Sequence, residues 1–153
     1  MKRPFALVTI LMCGVAPILA AQRSVAGAWI TEFDAQVRVV NGVVSTVKGR
    51  ARIDLRVGGD SIHGTWQPLT AAGSADGPAR DLAGTVTTDS AHFEALKPTE
   101  IVRREMDNET HTQVIMHYDV AVHGDSLVGT EQWVAVDQTS GGQTRRFTAT
   151  RKS

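Results

Sequence analysis

From position 27 to the C-terminus, apolar and polar residues alternate with a period of two. Residues 50–57 give the clearest case: Ala51, Ile53, Leu55 and Val57 fall on one side, and Arg50, Arg52, Asp54 and Arg56 on the other. A strand sends successive side chains to opposite faces, so the pattern predicts half-buried β-strands. The same reading separates Val114, Met116, Tyr118, Val120 and Val122 from Ile115, His117, Asp119, Ala121 and His123. It groups Trp29, Thr31, Phe33, Ala35 and Val37, then Ile62, Gly64 and Trp66, then Leu127, Gly129, Glu131 and Trp133. Strands are expected over 27–39, 44–57, 61–67, 81–87, 91–96, 113–123, 126–136 and 144–151. Residues 99–108 read as a short helix or irregular lid, because Pro98-Thr99 has the form of a helix start. Ile101-Val102 and Met106 suit a further strand equally well.

A seven-residue phrase punctuates the pattern. Gly-Asp-Ser-Ile-His-Gly-Thr at 59–65 returns as Gly-Asp-Ser-Leu-Val-Gly-Thr at 124–130, and a looser version runs from Gly84 to Phe93. Each begins with turn chemistry and continues into alternation, which is how an antiparallel meander is written. Asn41-Gly42 is the sharpest hairpin signal, Ser140-Gly141-Gly142-Gln143 marks the last turn, and Pro68 to Ala79 reads as an irregular loop. Gly64, Gly84 and Gly129 interrupt strands, where glycine commonly marks a bend or close packing. A sheet with one apolar face must cover it, and closure into a barrel does so while removing its edges. The expected fold is therefore all-β: a single antiparallel up-and-down meander closing into a barrel of about eight strands.

The N-terminus has a different texture. Lys2 and Arg3 precede an apolar run from Phe5 to Val15, and Ala20-Ala21 offers small residues before Gln22. This reads as a signal peptide over 1–21 and a single β-barrel domain over 22–153, exported to the periplasm or secreted. The alternatives are an uncleaved membrane anchor and lipidation at Cys13, the only cysteine. After cleavage no cysteine remains, so the core must stabilise the fold without disulfides. The 16 basic residues then become 14 against 16 acidic ones, a net charge of −2. No basic surplus favours nucleic acid or an anionic membrane.

Gly27-Ala28-Trp29 on the first strand matches a Gly-x-Trp motif, and Arg145, Arg146 and Arg151 lie near the end. In these features the chain resembles the calycins, the superfamily of lipocalins, fatty-acid-binding proteins and avidins. The resemblance implies a small barrel with a late basic residue over the first-strand tryptophan. Ser61 to Trp66 and Thr130 to Trp133 are similar in style to avidin strands. The paired tryptophans and the Ser/Thr set for biotin have no match, so biotin binding is not implied.

Little in the chain specifies chemistry. His117, Asp119 and His123 share a strand face, but His123 lies roughly 20 Å from His117 along an extended strand, and zinc needs three or four converging ligands. The Gly-Asp-Ser phrases miss the nucleophile-elbow spacing by one residue and read as turns. No metal, cofactor or catalytic group is expected. Glu131 is the unusual residue, because its phase with Leu127 and Trp133 turns a carboxylate inward. Arg145 or Arg151 on the next strand is its expected partner, since an unpaired buried charge is costly. The candidate ligand contacts are Trp29, Thr31, Trp66, Tyr118, Glu131 and Trp133. The sequence thus suggests a non-enzymatic exported barrel binding a small apolar or amphipathic ligand. The alternative is an envelope structural or interaction protein with a filled core, for example a protease-inhibitor-like barrel.

Overall fold

The computed structural model describes residues 25–40, 43–87, 90–105, 108–137 and 142–152, so the leader and the Asn41-Gly42 turn lie outside the described residues. Nine strands form one sheet: β1 (Gly27–Val40), β2 (Val43–Gly58), β3 (Ser61–Leu69), β4 (Arg80–Val86), β5 (Ser90–Ala95), β6 (Thr99–Glu105), β7 (Asn108–His123), β8 (Ser126–Ala135) and β9 (Gln143–Arg151). Every pairing is antiparallel. The ladder runs β5-β4-β3-β2-β1-β9-β8-β7-β6, and β5 also pairs with β7. That last pairing closes eight strands into a barrel and leaves β6 as an extra strand.

The described part of the stretch expected to form a short helix or lid over 99–108 is strand instead: Thr99–Glu105 is β6, and 108–112 belongs to β7, while Met106 lies outside the described residues. The reason lies in the neighbour. Beyond the β5 contact, β7 offers an edge, and Thr99↔Val114 through Glu105↔Asn108 fill it. Backbone pairing of Ile101 and Val102 there outweighs the capping signal at Thr99. β5 and β6 are one broken strand along β7. Glu94 opposes His117 and Thr99 opposes Val114, so 95–98 carry two residues more than 115–116 opposite. Pro98, which lacks an N–H, lies in that break.

The barrel has two different ends. The β1–β2 and β6–β7 ribbons project from one end, because β1 pairs with β9 only through Trp29–Thr31 and β3 reaches β2 only up to Arg50. The other end is closed by tight turns and by Val25, which is 1% exposed. Between them, Ile53, Ile62, Phe93, Tyr118, Leu127 and Phe147 fill the interior. Phe93 and Tyr118 stack at 5.0 Å, and Phe147 meets Tyr118 edge-on at 5.3 Å, as buried aromatic pairs prefer.

The repeated phrase has a structural meaning. Its copies are the β2–β3 and β7–β8 turns with the strands that follow. Gly59 and Gly124 are 65 positions apart, and both have positive φ, 66° and 59°. Such values suit glycine at the first central position of a two-residue hairpin turn. The same offset carries Gly58↔Ser61 onto His123↔Ser126, and Ser61↔Thr85 onto Ser126↔Thr150. β3 is third and β8 seventh around the ring of eight, so the two copies stand on opposite walls.

Candidate functional site

Inward positions near the projecting ribbons form a mouth with mixed chemistry. Trp66 on β3 is 7% exposed and meets Phe33 of β1 at 5.4 Å. Arg80, its register partner on β4, lies over the indole at 4.6 Å. On the opposite wall Trp133 of β8 is half-buried, and Arg145 of β9 lies over it at 4.3 Å. Both arrangements are cation–π stacks, which strengthen as the cation loses water. Tyr118, 1% exposed, forms the floor, and its hydroxyl reaches Met116 Sδ at 3.6 Å.

Glu131 stands among these groups. It opposes Tyr118 on one side and Arg145 on the other in register. Its carboxylate accepts the Trp133 indole N–H, and Arg145 acts on it through its charge. The indole of Trp133 thus holds both: Glu131 takes its edge and Arg145 covers its face. Arg145 also donates to Gln143 Oε1 at 3.0 Å. Arg151, the other expected partner, is engaged at the closed end. It lies 4.1 Å over Trp29, donates to the Ala26 carbonyl at 3.0 Å and approaches Asp125 at 3.8 Å.

Burial dominates the titration of the mouth. It pushes the Glu131 carboxyl above the ordinary range, and the Trp133 N–H and Arg145 charge oppose the shift only in part. It pushes the Tyr118 hydroxyl up, and it pulls the Arg80 guanidinium down. Because Glu131 binds its proton more tightly when folded, its contribution to stability is complete below the ordinary glutamate value. That contribution is lost as pH rises through the raised folded value. Glu131→Gln keeps an acceptor for Trp133 and cannot ionise. We expect the variant to melt above wild type at about pH 8 and together with it near pH 4. Thermal melts across that range check this, and parallel curves at every pH would mean that Glu131 is fully hydrated.

The six candidate ligand contacts therefore divide. Trp66, Tyr118, Glu131 and Trp133 come together toward the mouth. Trp29 is fully buried near the closed end, where its indole N–H donates to the Val25 carbonyl at 2.9 Å. Thr31, 4% exposed, donates to the Thr148 carbonyl at 2.9 Å. Arg80 is a mouth residue that lies just outside the expected strand 81–87, at the end of the Pro68 to Ala79 loop. Its phase with Leu82 and Val86, and its 65-position spacing from Arg145, carried the signal.

The histidines lie on the outer wall. His92 meets Asp119 at 2.7 Å and His117 meets Glu94 at 3.0 Å, both across the β5–β7 seam. Each of these imidazoles is thus engaged with a carboxylate from the neighbouring strand, and His123 is exposed. Among the described residues no group of three His, Cys, Asp or Glu side chains is arranged to hold a metal ion. An open groove of about 340 Å³ crosses this wall beside Thr85, Ser90, His92, Asp119 and Val128. It lies outside the barrel, apart from the mouth. No family model, curated protein or solved structure matches the chain.

Proposed function

We infer that the protein is an exported, non-enzymatic binding module that holds a small amphipathic ligand at the open end of its barrel. The observation that carries this reading is the mouth. Two tryptophans line it from opposite walls, each under a guanidinium, and the half-buried Glu131 carboxyl accepts the N–H of one of them. An apolar lining with a few placed polar groups is the usual composition of a small-molecule site. A lipocalin-like relationship is supported by Arg151 stacked on Trp29 of Gly27-Ala28-Trp29. The interior below the mouth is packed with side chains, so the ligand binds at the rim of the barrel and not deep within it.

Native mass spectrometry of protein recovered from its own periplasm or medium tests the reading. The expected spectrum shows a small-molecule adduct that Trp133→Ala loses while remaining folded. A folded protein of bare mass, unresponsive to added amphiphiles, would overturn it.

A second reading, a filled-core interaction protein of the envelope, also has an observation in its favour. Val43, Val47, Leu96, Val102 and Val136 are exposed, and all sit at the mouth end. Clustered exposed apolar side chains mark contact surfaces. In that case the native spectrum carries a protein-sized adduct instead.

A further inference from the structure

The two arginines of the mouth hold equivalent positions in the fold, although the tryptophans they cover do not: Trp66 corresponds to Glu131. The offset that relates the repeated turns also carries Arg80 onto Arg145, Leu82 onto Phe147 and Thr85 onto Thr150. It likewise carries Ile53 of β2 onto Tyr118 of β7. Each half of the barrel thus sends one arginine inward at the same height, from β4 on one wall and β9 on the opposite one. Each guanidinium lies against an indole face. A guanidinium stacked in this way keeps its N–H edge in its own plane, free to fork onto two oxygens of an acid.

The charges around these edges are few. Among the described residues Arg80 makes no ion pair, although it is half-buried and desolvated. Arg145 has Gln143 as a neutral acceptor. The groups form one electrostatic chain across the mouth: Arg80 acts on the Tyr118 hydroxyl, Glu131 acts on the same hydroxyl, and Arg145 acts on Glu131. Glu131 is the carboxyl among these four groups, and its burial favours the neutral form. A neutral carboxyl donates a hydrogen bond to an anion instead of repelling it. Two cations and a protonatable acid leave the mouth short of negative charge.

We propose that the mouth recognises an organic anion, whose carboxylate, sulfate or phosphate group lies between the guanidinium edges of Arg80 and Arg145 while its apolar body lies against Trp66 and Trp133. This rests on the mouth-binding reading and adds the chemical class of the ligand. The arginines supply recognition of the acid group, and the tryptophans hold them in place. Binding also raises the proton affinity of Glu131, so the anion binds more tightly as pH falls toward the ordinary glutamate range.

The test compares decanoate with decan-1-ol, which share a chain and differ in charge. Titrations follow intrinsic tryptophan fluorescence and are repeated by calorimetry. Wild type should bind decanoate at least roughly tenfold more tightly than decan-1-ol, as charge-assisted hydrogen bonds imply. Arg80→Gln and Arg145→Gln should each remove roughly that factor for decanoate and leave decan-1-ol unchanged. The wild-type comparison and its salt dependence decide the matter even if a variant fails to fold. Equal wild-type affinity for both probes overturns the anion assignment and leaves mouth binding standing. Binding of neither probe overturns both.

Discussion

Trp29→Ala should lower the stability of the barrel by about 3–5 kcal/mol, the usual loss for a buried aromatic. Trp29 is fully buried, its indole N–H is satisfied by Val25, and Ile53 and Arg151 flank it in register. Truncation removes three things together. The ring's buried area is lost, the Val25 carbonyl loses its donor, and the Arg151 guanidinium loses the face it covers. Because Arg151 also holds the Ala26 carbonyl, the start of β1 should loosen along with the core. Trp29→Phe restores much of the volume but not the N–H, so its loss should be smaller. Urea denaturation of the three proteins, with the slope checked for constancy, measures the effect. An Ala variant with a wild-type midpoint would mean that the closed end of the barrel does not depend on this plug.

The alternation that places Trp29 inside is also what made the fold readable. Ala51, Ile53 and Leu55 are all buried, as the period of two requires. The same parity turns Arg50 and Arg56 outward. Periodicity carries less information at strand ends, and there the sequence and the structure part. β6 was obscured because Pro98-Thr99 serves a strand start as well as a helix cap, and because its partner edge on β7 is a tertiary fact. Arg80 was obscured because a cation at the end of a Gly/Ala/Pro-rich loop reads as surface. Its phase with Leu82 and Val86 points it inward, and the opposed Trp66 shows what it meets there. Glu131 shows a different limit. Its phase is visible along the strand, but the distance to Arg145, and the choice of the Trp133 N–H instead, depend on rotamers that no periodicity encodes. The mouth is therefore only half legible, since its tryptophans follow from phase whereas its charge pattern needs the closed ring.

Replacing the second glycine of the repeated phrase should be as damaging in one copy as in the other. A Cβ on Gly64 would overlap the Asp54 carbonyl oxygen, and a Cβ on Gly129 would overlap the Asp119 carbonyl oxygen. These partners are again 65 positions apart, so the constraint belongs to the repeat and not to one accident of packing. At both sites the strand crosses close over its neighbour's backbone, which lets a sheet with bulky aromatics on its inner face curl into a narrow barrel. The colliding atom is main chain in each case, so no side-chain rotation relieves it. Gly64→Ala and Gly129→Ala should each cost at least the roughly 1–3 kcal/mol of ordinary overpacking. Gly58→Ala is the control, because its Cβ would meet nothing within 4 Å. A change there should stay within about 0.5 kcal/mol, as at other open surface sites. Denaturation midpoints of the three variants provide the comparison. If Gly64→Ala and Gly129→Ala melt like Gly58→Ala, the strands do not approach as closely as described, and the curvature of the barrel must have another source.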